Sequence, residues 1–252
     1  MDYQLKKSLG QHFLKDESVS ERIVDALKQN PFSRLLEVGP GGGALTKHLL
    51  QLENIDFKAV ELDEEKVEYL HRKFPVLNEK VISKSFLDID PPFEEPFTVV
   101  GNFPYNISTQ ILFKILDWKH LVPVCVGMFQ KEVAERAASK EGSKVYGVLS
   151  VLVQAYYDVE YLFDVAPEAF NPPPKVVSGV IRLVRRTDVV DMKSDKHFQN
   201  LVKTAFNQRR KTLRNAVRGL FNADELQDEI FNKRAEALSV ADFAALTYRM
   251  NF

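Results

Sequence analysis

From residue 34 to residue 184, short apolar runs of strand length alternate with stretches of helical periodicity. A chain patterned this way buries its apolar runs as a mostly parallel sheet covered by helices, a doubly wound α/β fold. The runs are RLLEVG (34–39), FKAVEL (57–62), KVISKS (80–85), FTVVGN (97–102), VPVCVGM (122–128), YYDVEYLF (156–163) and VVSGVIRLV (176–184). Helices are predicted near 16–29, 44–53, 63–74, 107–117, 130–139 and 145–155, with Asp16 and Asp63 as N-caps. Two helices follow the fifth run, and the last two strands lie close together, which predicts an antiparallel hairpin at one sheet edge. From residue 187 no strand pattern remains and four or five helices are expected. The domain boundary is placed there, giving domains 1–186 and 187–252, a division that suits a chain of 252 residues.

The first run leads into Glu37-Val38-Gly39-Pro40-Gly41-Gly42-Gly43-Ala44. Glycines permit a tight turn and close approach of a ligand, and the following helix aims its N-terminus at that ligand. Gly39, Gly41 and Ala44 also satisfy the dinucleotide pattern G-x-G-x-x-G/A, so the motif leaves the nucleotide-type cofactor open. Glu61, ending the second run 22 positions after Gly39, can accept the ribose hydroxyls of either NAD or S-adenosylmethionine. Glu37 leans toward S-adenosylmethionine, which has cationic amino and sulfonium groups and no pyrophosphate to repel a carboxylate.

The fourth run ends in Gly101-Asn102-Phe103-Pro104-Tyr105-Asn106-Ile107-Ser108-Thr109. In an open α/β sheet this segment faces the ligand beyond the strand ends. An adenine N6 lone pair is delocalised into the ring and is a poor nucleophile. Acceptors that take hydrogen bonds from the amine pull the nitrogen toward tetrahedral geometry and localise the pair. The Asn102 side-chain carbonyl and a main-chain carbonyl beside Pro104 suit that task, and Tyr105 can stack on a flipped base. A nicotinamide oxidoreductase has no use for such a turn.

Together these motifs resemble the ribosomal RNA small-subunit adenine N6,N6-dimethyltransferases, and in part the macrolide-resistance methyltransferases and mitochondrial transcription-factor-B proteins. The resemblance includes Leu9 to Leu14, Glu37 to Thr46, Val60 to Asp63, Gly101 to Thr109, Gln130 to Arg136, Phe170 to Val176 and Phe206 to Leu213. It implies a Rossmann-like class I methyltransferase sheet of seven strands and a small helical C-terminal domain. The implied activity is S-adenosylmethionine-dependent dimethylation of two adjacent adenines near the 3′ end of small-subunit RNA, in ribosome biogenesis. By the same resemblance His12, Leu14, Gly39, Gly41, Glu61 and Asn102 line the cofactor pocket. The family usually carries Asp where this chain has Ser85; serine has no charge, so weaker cofactor affinity is expected. Phe103 replaces the more usual leucine, a change expected to be tolerated. Phe170, ahead of Asn171 and three prolines, is implied as a second stacking surface for the adenine. Two alternatives are a large-subunit methyltransferase conferring macrolide resistance and an assembly checkpoint that acts mainly by binding.

The formal net charge is −1, so an RNA surface must be a local patch. Residues 203–218 supply one: Lys203, Arg209, Arg210, Lys211, Arg214 and Arg218 occur without an acid. Arg210, Arg214 and Arg218 recur every four positions and are expected along one helical stripe facing phosphates. Lys140, Lys144, Arg185 and Arg186 are weaker candidates. A single cysteine, Cys125, and five scattered His provide neither a disulfide framework nor metal-ligand spacing. The first residues lack a signal-peptide core, and no run approaches the length of a membrane span. The expectation is a cytoplasmic monomer acting on small-subunit RNA within an immature 30S particle, without metal or membrane.

Overall fold

The computed structural model describes residues 12–251. The strands are β1 (Phe13–Leu14), β2 (Arg34–Val38), β3 (Asp56–Glu61), β4 (Val81–Ser83), β5 (Thr98–Asn102), β6 (Val124–Gln130), β7 (Tyr157–Val165), β8 (Phe170–Asn171) and β9 (Ser178–Arg185). The helices are α1 (Glu17–Lys28), α2 (Thr46–Leu49), α3 (Glu64–Lys73), α4 (Ser108–Asp117), α5 (Lys131–Ala138), α6 (Val148–Gln154), α7 (Asp195–Asn207), α8 (Leu213–Ala216) and α9 (Val240–Leu246). All seven runs read as strands form one sheet, in the order β4-β3-β2-β5-β6-β9-β7. β2 pairs in parallel with β3 and β5, β3 with β4, and β5 with β6, while β9 runs antiparallel to β6. The antiparallel element expected at one edge is therefore present. Its connection is no tight turn, because residues 166–177 leave the sheet and carry β8, which pairs antiparallel with β1.

Local chemistry explains the elements. The Asp16 carboxylate accepts from the Ser18 amide and caps α1, whose Val19, Ile23, Val24 and Leu27 form a buried stripe at helical spacing. Leu35, Leu36 and Val38 of β2 are all buried, as a central strand covered on both faces requires. α2 is much shorter than the predicted 44–53, because turns occupy the glycine-rich residues before Thr46.

The chain divides into two compact units, 12–134 with 160–185 and 135–159 with 186–251. The division falls beside the boundary expected from sequence at one place and adds 135–159 to the second unit. α6 reads Val-Leu-Ser-Val-Leu-Val-Gln, apolar on nearly every side, and such a helix needs cover all round; α7 packs against it. Within this unit the Tyr156 hydroxyl donates to Asp195 at 2.6 Å, and the Gly142 amide donates to the Glu236 carbonyl at 2.7 Å. In place of four or five helices after 187, the described residues form three α-helices and 3-10 turns at Glu225–Gln227, Glu229–Asn232, Ala235–Ala237 and Thr247–Arg249. Local caps close these short turns, for example Asp228 accepting from the Ile230 amide at 3.0 Å, before a longer helix can propagate.

Candidate active site

One pocket opens beyond the carboxyl ends of β2 to β5, where the parallel strands deliver their loops. At the end of β2, Gly39 and Gly41 take left-handed φ values of +69° and +56°, which L side chains rarely adopt. The Gly39 amide donates to the Val60 carbonyl at 2.9 Å, tying the turn to β3. Glu61, at the end of β3, accepts from the Gly41 amide at 3.1 Å with one carboxylate oxygen and from the Asp63 amide at 3.0 Å with the other. Its carboxylate is thus fixed while each oxygen keeps a lone pair for a ligand. The Phe13 ring packs against the turn at Gly41 and Gly42, a contact that sequence reasoning missed.

Glu37 lies on β2 and also lines the pocket, yet it is 1% exposed. Burial raises its pKa from the ordinary 4.5 to about 8; the Thr46 hydroxyl opposes the rise and the Glu61 charge adds to it. One Glu37 oxygen, Oε2, is buried without a hydrogen-bond partner among the described residues. A protonated, under-satisfied carboxyl in a ligand pocket is poised to ionise toward a cation.

The Asn-Phe-Pro-Tyr turn leaves the end of β5 on the opposite side of β2 from β3. The Asn102 amide nitrogen donates to the His12 carbonyl at 3.4 Å, which leaves Oδ1 to accept. Phe103 is buried at 1% exposure; its ring packs on Phe129 with centroids 4.8 Å apart and lies over Gly127. A Cβ built on Gly127 would stand 2.0 Å from that ring, so the phenylalanine fits because residue 127 has no side chain. The Pro104 carbonyl already accepts from the Ile107 amide and the Ser108 hydroxyl, each at 3.2 Å. The main-chain acceptor left beside it is the Phe103 carbonyl, for which no donor lies within hydrogen-bond distance among the described residues. The Tyr105 hydroxyl shares a 2.5 Å hydrogen bond with Ser178, 73 positions away, and its ring stacks on His12 with centroids 5.6 Å apart. Burial raises the Tyr105 pKa, with the Ser178 hydrogen bond opposing. Nothing local in the sequence points to Ser178; only the return of β9 beside β6 brings it here.

Of the residues singled out from the sequence, His12, Leu14, Gly39, Gly41, Glu61, Ser85, Asn102, Pro104 and Tyr105 line this one pocket. His12 does more than line it: its ring backs Tyr105, and its Nδ1 pairs with the Pro172 carbonyl at 2.9 Å. The Phe170 expectation is corrected. Its side chain is wholly buried in the apolar cluster with Leu14, Val165, Ala169 and Val180, so its ring has no face in the pocket. Pairing of Phe170 with Leu14 across β8 and β1 holds it there. Residues 9–11 of the matching N-terminal run lie outside the described residues.

The basic stripe is also corrected. α7 ends at Asn207 and α8 begins at Leu213, so no helix runs through 210–218 and the four-residue spacing aligns nothing. The Arg214 Nε donates to the Leu226 carbonyl at 2.8 Å and the side chain is only partly exposed. Arg209, Arg210, Lys211 and Arg218 are exposed, although Arg209 also donates to the Lys144 carbonyl. Lys211 and Arg218 meet Gln208 and Asn215 around a shallow depression. The weaker candidates Arg185 and Arg186 are engaged too, the first by the carbonyls of Lys119 and His120, the second by Asp158 and Asp188.

Among the described residues no group of three or more His, Cys, Asp or Glu is arranged to hold a metal, and no helix is long and apolar enough to cross a membrane. Residues 3–251 match the family described as ribosomal RNA adenine dimethylase. The chain is 50% identical over 249 residues to the ribosomal RNA small subunit methyltransferase A of Flavobacterium johnsoniae, covering 97% of this chain and 95% of that protein. It is 51% identical to the protein of the same description from Phocaeicola vulgatus, over 96% of this chain and 88% of the relative. Among solved structures, a dimethyladenosine transferase from Plasmodium falciparum superposes with a TM-score of 0.83 at 25% identity, over 96% of this chain and all of that one. The 23S rRNA methyltransferase ErmE shares the fold, with a TM-score of 0.75 at 22% identity over 95% of this chain and all of that one.

Proposed function

The chain belongs to the ribosomal RNA adenine dimethylase family, and from that premise we propose that it dimethylates the N6 amines of two adjacent adenines near the 3′ end of small-subunit ribosomal RNA. S-adenosylmethionine is the methyl donor; when bound it supplies an electrophilic methyl on a positively charged sulfur. The residues present suit it. Glu37, buried with one oxygen under-satisfied, favours a cationic amino-acid moiety, which can draw its proton off and pair with the carboxylate. Glu61 would hold the ribose hydroxyls. In this reading the base would lie outward toward the β4 loop and the methionine inward toward Gly39 and the end of β5, an arrangement that the strand order supports.

One observation carries the reading. The Asn102 amide is turned by its bond to the His12 carbonyl so that Oδ1 accepts, and the Phe103 carbonyl beside it is uncommitted. Two such acceptors take the two hydrogens of an adenine amine and localise its lone pair for attack on the methyl group. Transfer of the donor's methyl to that nitrogen would leave the sulfur neutral, and the alkylated amine would lose a proton to solvent without a dedicated base. After the first transfer a single hydrogen remains, and either acceptor can hold it for the second. Tyr105, buttressed by His12 and Ser178, offers its ring as the platform for the flipped base.

The exposed Arg209, Arg210, Lys211 and Arg218 of the second unit would contact RNA phosphates. The preferred substrate in this reading is an immature 30S particle met in the cytoplasm by a monomer. Small and large subunits from cells lacking the modification, each incubated with the protein and labelled donor, should yield N6,N6-dimethyladenosine from the small-subunit RNA alone on nucleoside analysis. Label confined to large-subunit RNA, or to no nucleoside, would overturn the assignment.

A further inference from the structure

The end of the pocket beyond β4 differs in its chemistry from the end near Glu37. Ser83 of β4 is the register partner of Glu61, so Ser85, two residues on, stands just beyond the strand adjacent to the ribose-binding carboxylate. With the lining residues Lys84, Phe86, Leu87 and Leu62, it forms the part of the pocket left for the purine ring. The Ser85 oxygen accepts from the Leu87 amide at 3.2 Å and caps the 3-10 turn Phe86–Asp88. Its hydroxyl hydrogen has no acceptor within hydrogen-bond distance among the described residues. Among the described residues no carboxylate lines this end: the acids of the lining are Glu37 and Glu61, and Glu61 is held in place at the end of β3 by the Gly41 and Asp63 amides.

A carboxylate can only accept. It selects a purine with a 6-amino donor and rejects one whose 6-position is a carbonyl. A serine hydroxyl rotates, so it can donate as readily as accept, and Lys84 beside it has donors alone. We infer that Ser85 makes the cofactor site tolerant of the group at purine C6, so that the 6-oxo (deaminated) form of S-adenosylhomocysteine binds nearly as well as S-adenosylhomocysteine itself. The inference rests on the cofactor reading above and adds which edge of the cofactor the protein leaves unread. In a cell, deaminated product would then compete for the site.

Calorimetric titration of the full chain with both ligands tests this without any catalytic readout. For the wild type, dissociation constants within about threefold of each other are expected, since one neutral hydrogen bond is exchanged for another. Ser85→Asp, which keeps the cap because Asp also caps well, should tighten S-adenosylhomocysteine and open a preference over the 6-oxo form of at least about tenfold. Ser85→Ala should weaken both ligands by similar factors. A wild-type preference above about thirtyfold, or equal discrimination in the wild type and Ser85→Asp, overturns the inference. Failure of the wild type to bind S-adenosylhomocysteine at all would instead bring down the cofactor reading, and this inference with it.

Discussion

The Asn-Phe-Pro-Tyr turn and the basic segment 203–218 both point to function as sequence, and the structure treats them oppositely. The turn leaves a strand whose partners on both sides are fixed by register, so its residues are in place before any side chain is considered. The basic segment lies between two helices that end and begin within it, so its spacing carried no geometry. Lys211 and Arg218 line one depression there, whereas Arg214 is spent on its own fold. A motif anchored to a sheet has its place fixed by its position in the chain; a charge run between helices does not.

The largest expected effect tests the anchored side. Asn102→Ala removes one of two acceptors while leaving the strand pairing of β5 intact, so kcat for methyl transfer should fall about 10²- to 10³-fold. Cofactor affinity and circular dichroism would show whether the protein remains folded and loaded. A loss below about tenfold would mean that activation of the amine does not depend on this residue.

Packing beneath the turn makes a second test. Gly127→Ala places a methyl group within 2.0 Å of the Phe103 ring, an overpacking expected to cost about 1–3 kcal/mol in urea unfolding. Phe103→Leu in the same protein should restore much of that loss. No restoration would show that Phe103 is not what fills the space over Gly127.

Much of the catalytic unit was legible because its signals are local. The seven apolar runs, the caps at Asp16 and Asp63 and the glycine turn each state their own conformation. What stayed hidden depends on distant residues meeting. Ser178 reaches Tyr105 only after β9 inserts beside β6, and Phe170 is drawn into the core by its pairing with Leu14. An aromatic ahead of three prolines reads the same whether its ring is free or buried. The segment 135–159 was misallotted for a related reason: the all-round apolar character of α6 says that it is covered, not by which unit.

Glu37 sharpens the comparison through pH. Its folded pKa of about 8 lies above the ordinary 4.5, so between those values the folded chain keeps a proton that the unfolded chain has lost. Stability from this group is complete below about 4.5 and declines as pH rises toward about 8, by at most about 1.4 kcal/mol per pH unit. Glu37→Gln should remove that slope. Urea unfolding at pH 6 and pH 8 would measure it, and equal slopes in both proteins would place the ionisation elsewhere.

The smallest effects separate the arginines of the basic segment. Arg218→Ala removes an exposed charge on the rim shared with Lys211, Gln208 and Asn215. RNA affinity should fall a few-fold, and the slope of log affinity against log salt should lessen by about one, with stability changed by under about 0.5 kcal/mol. Arg214→Ala should do the reverse. Loss of its hydrogen bond to the Leu226 carbonyl should lower stability by about 1 kcal/mol while leaving the salt slope nearly unchanged. Identical salt slopes for the two variants would mean that the partly exposed guanidinium reaches phosphate despite that bond, and that the even spacing seen in the sequence had described the RNA surface after all.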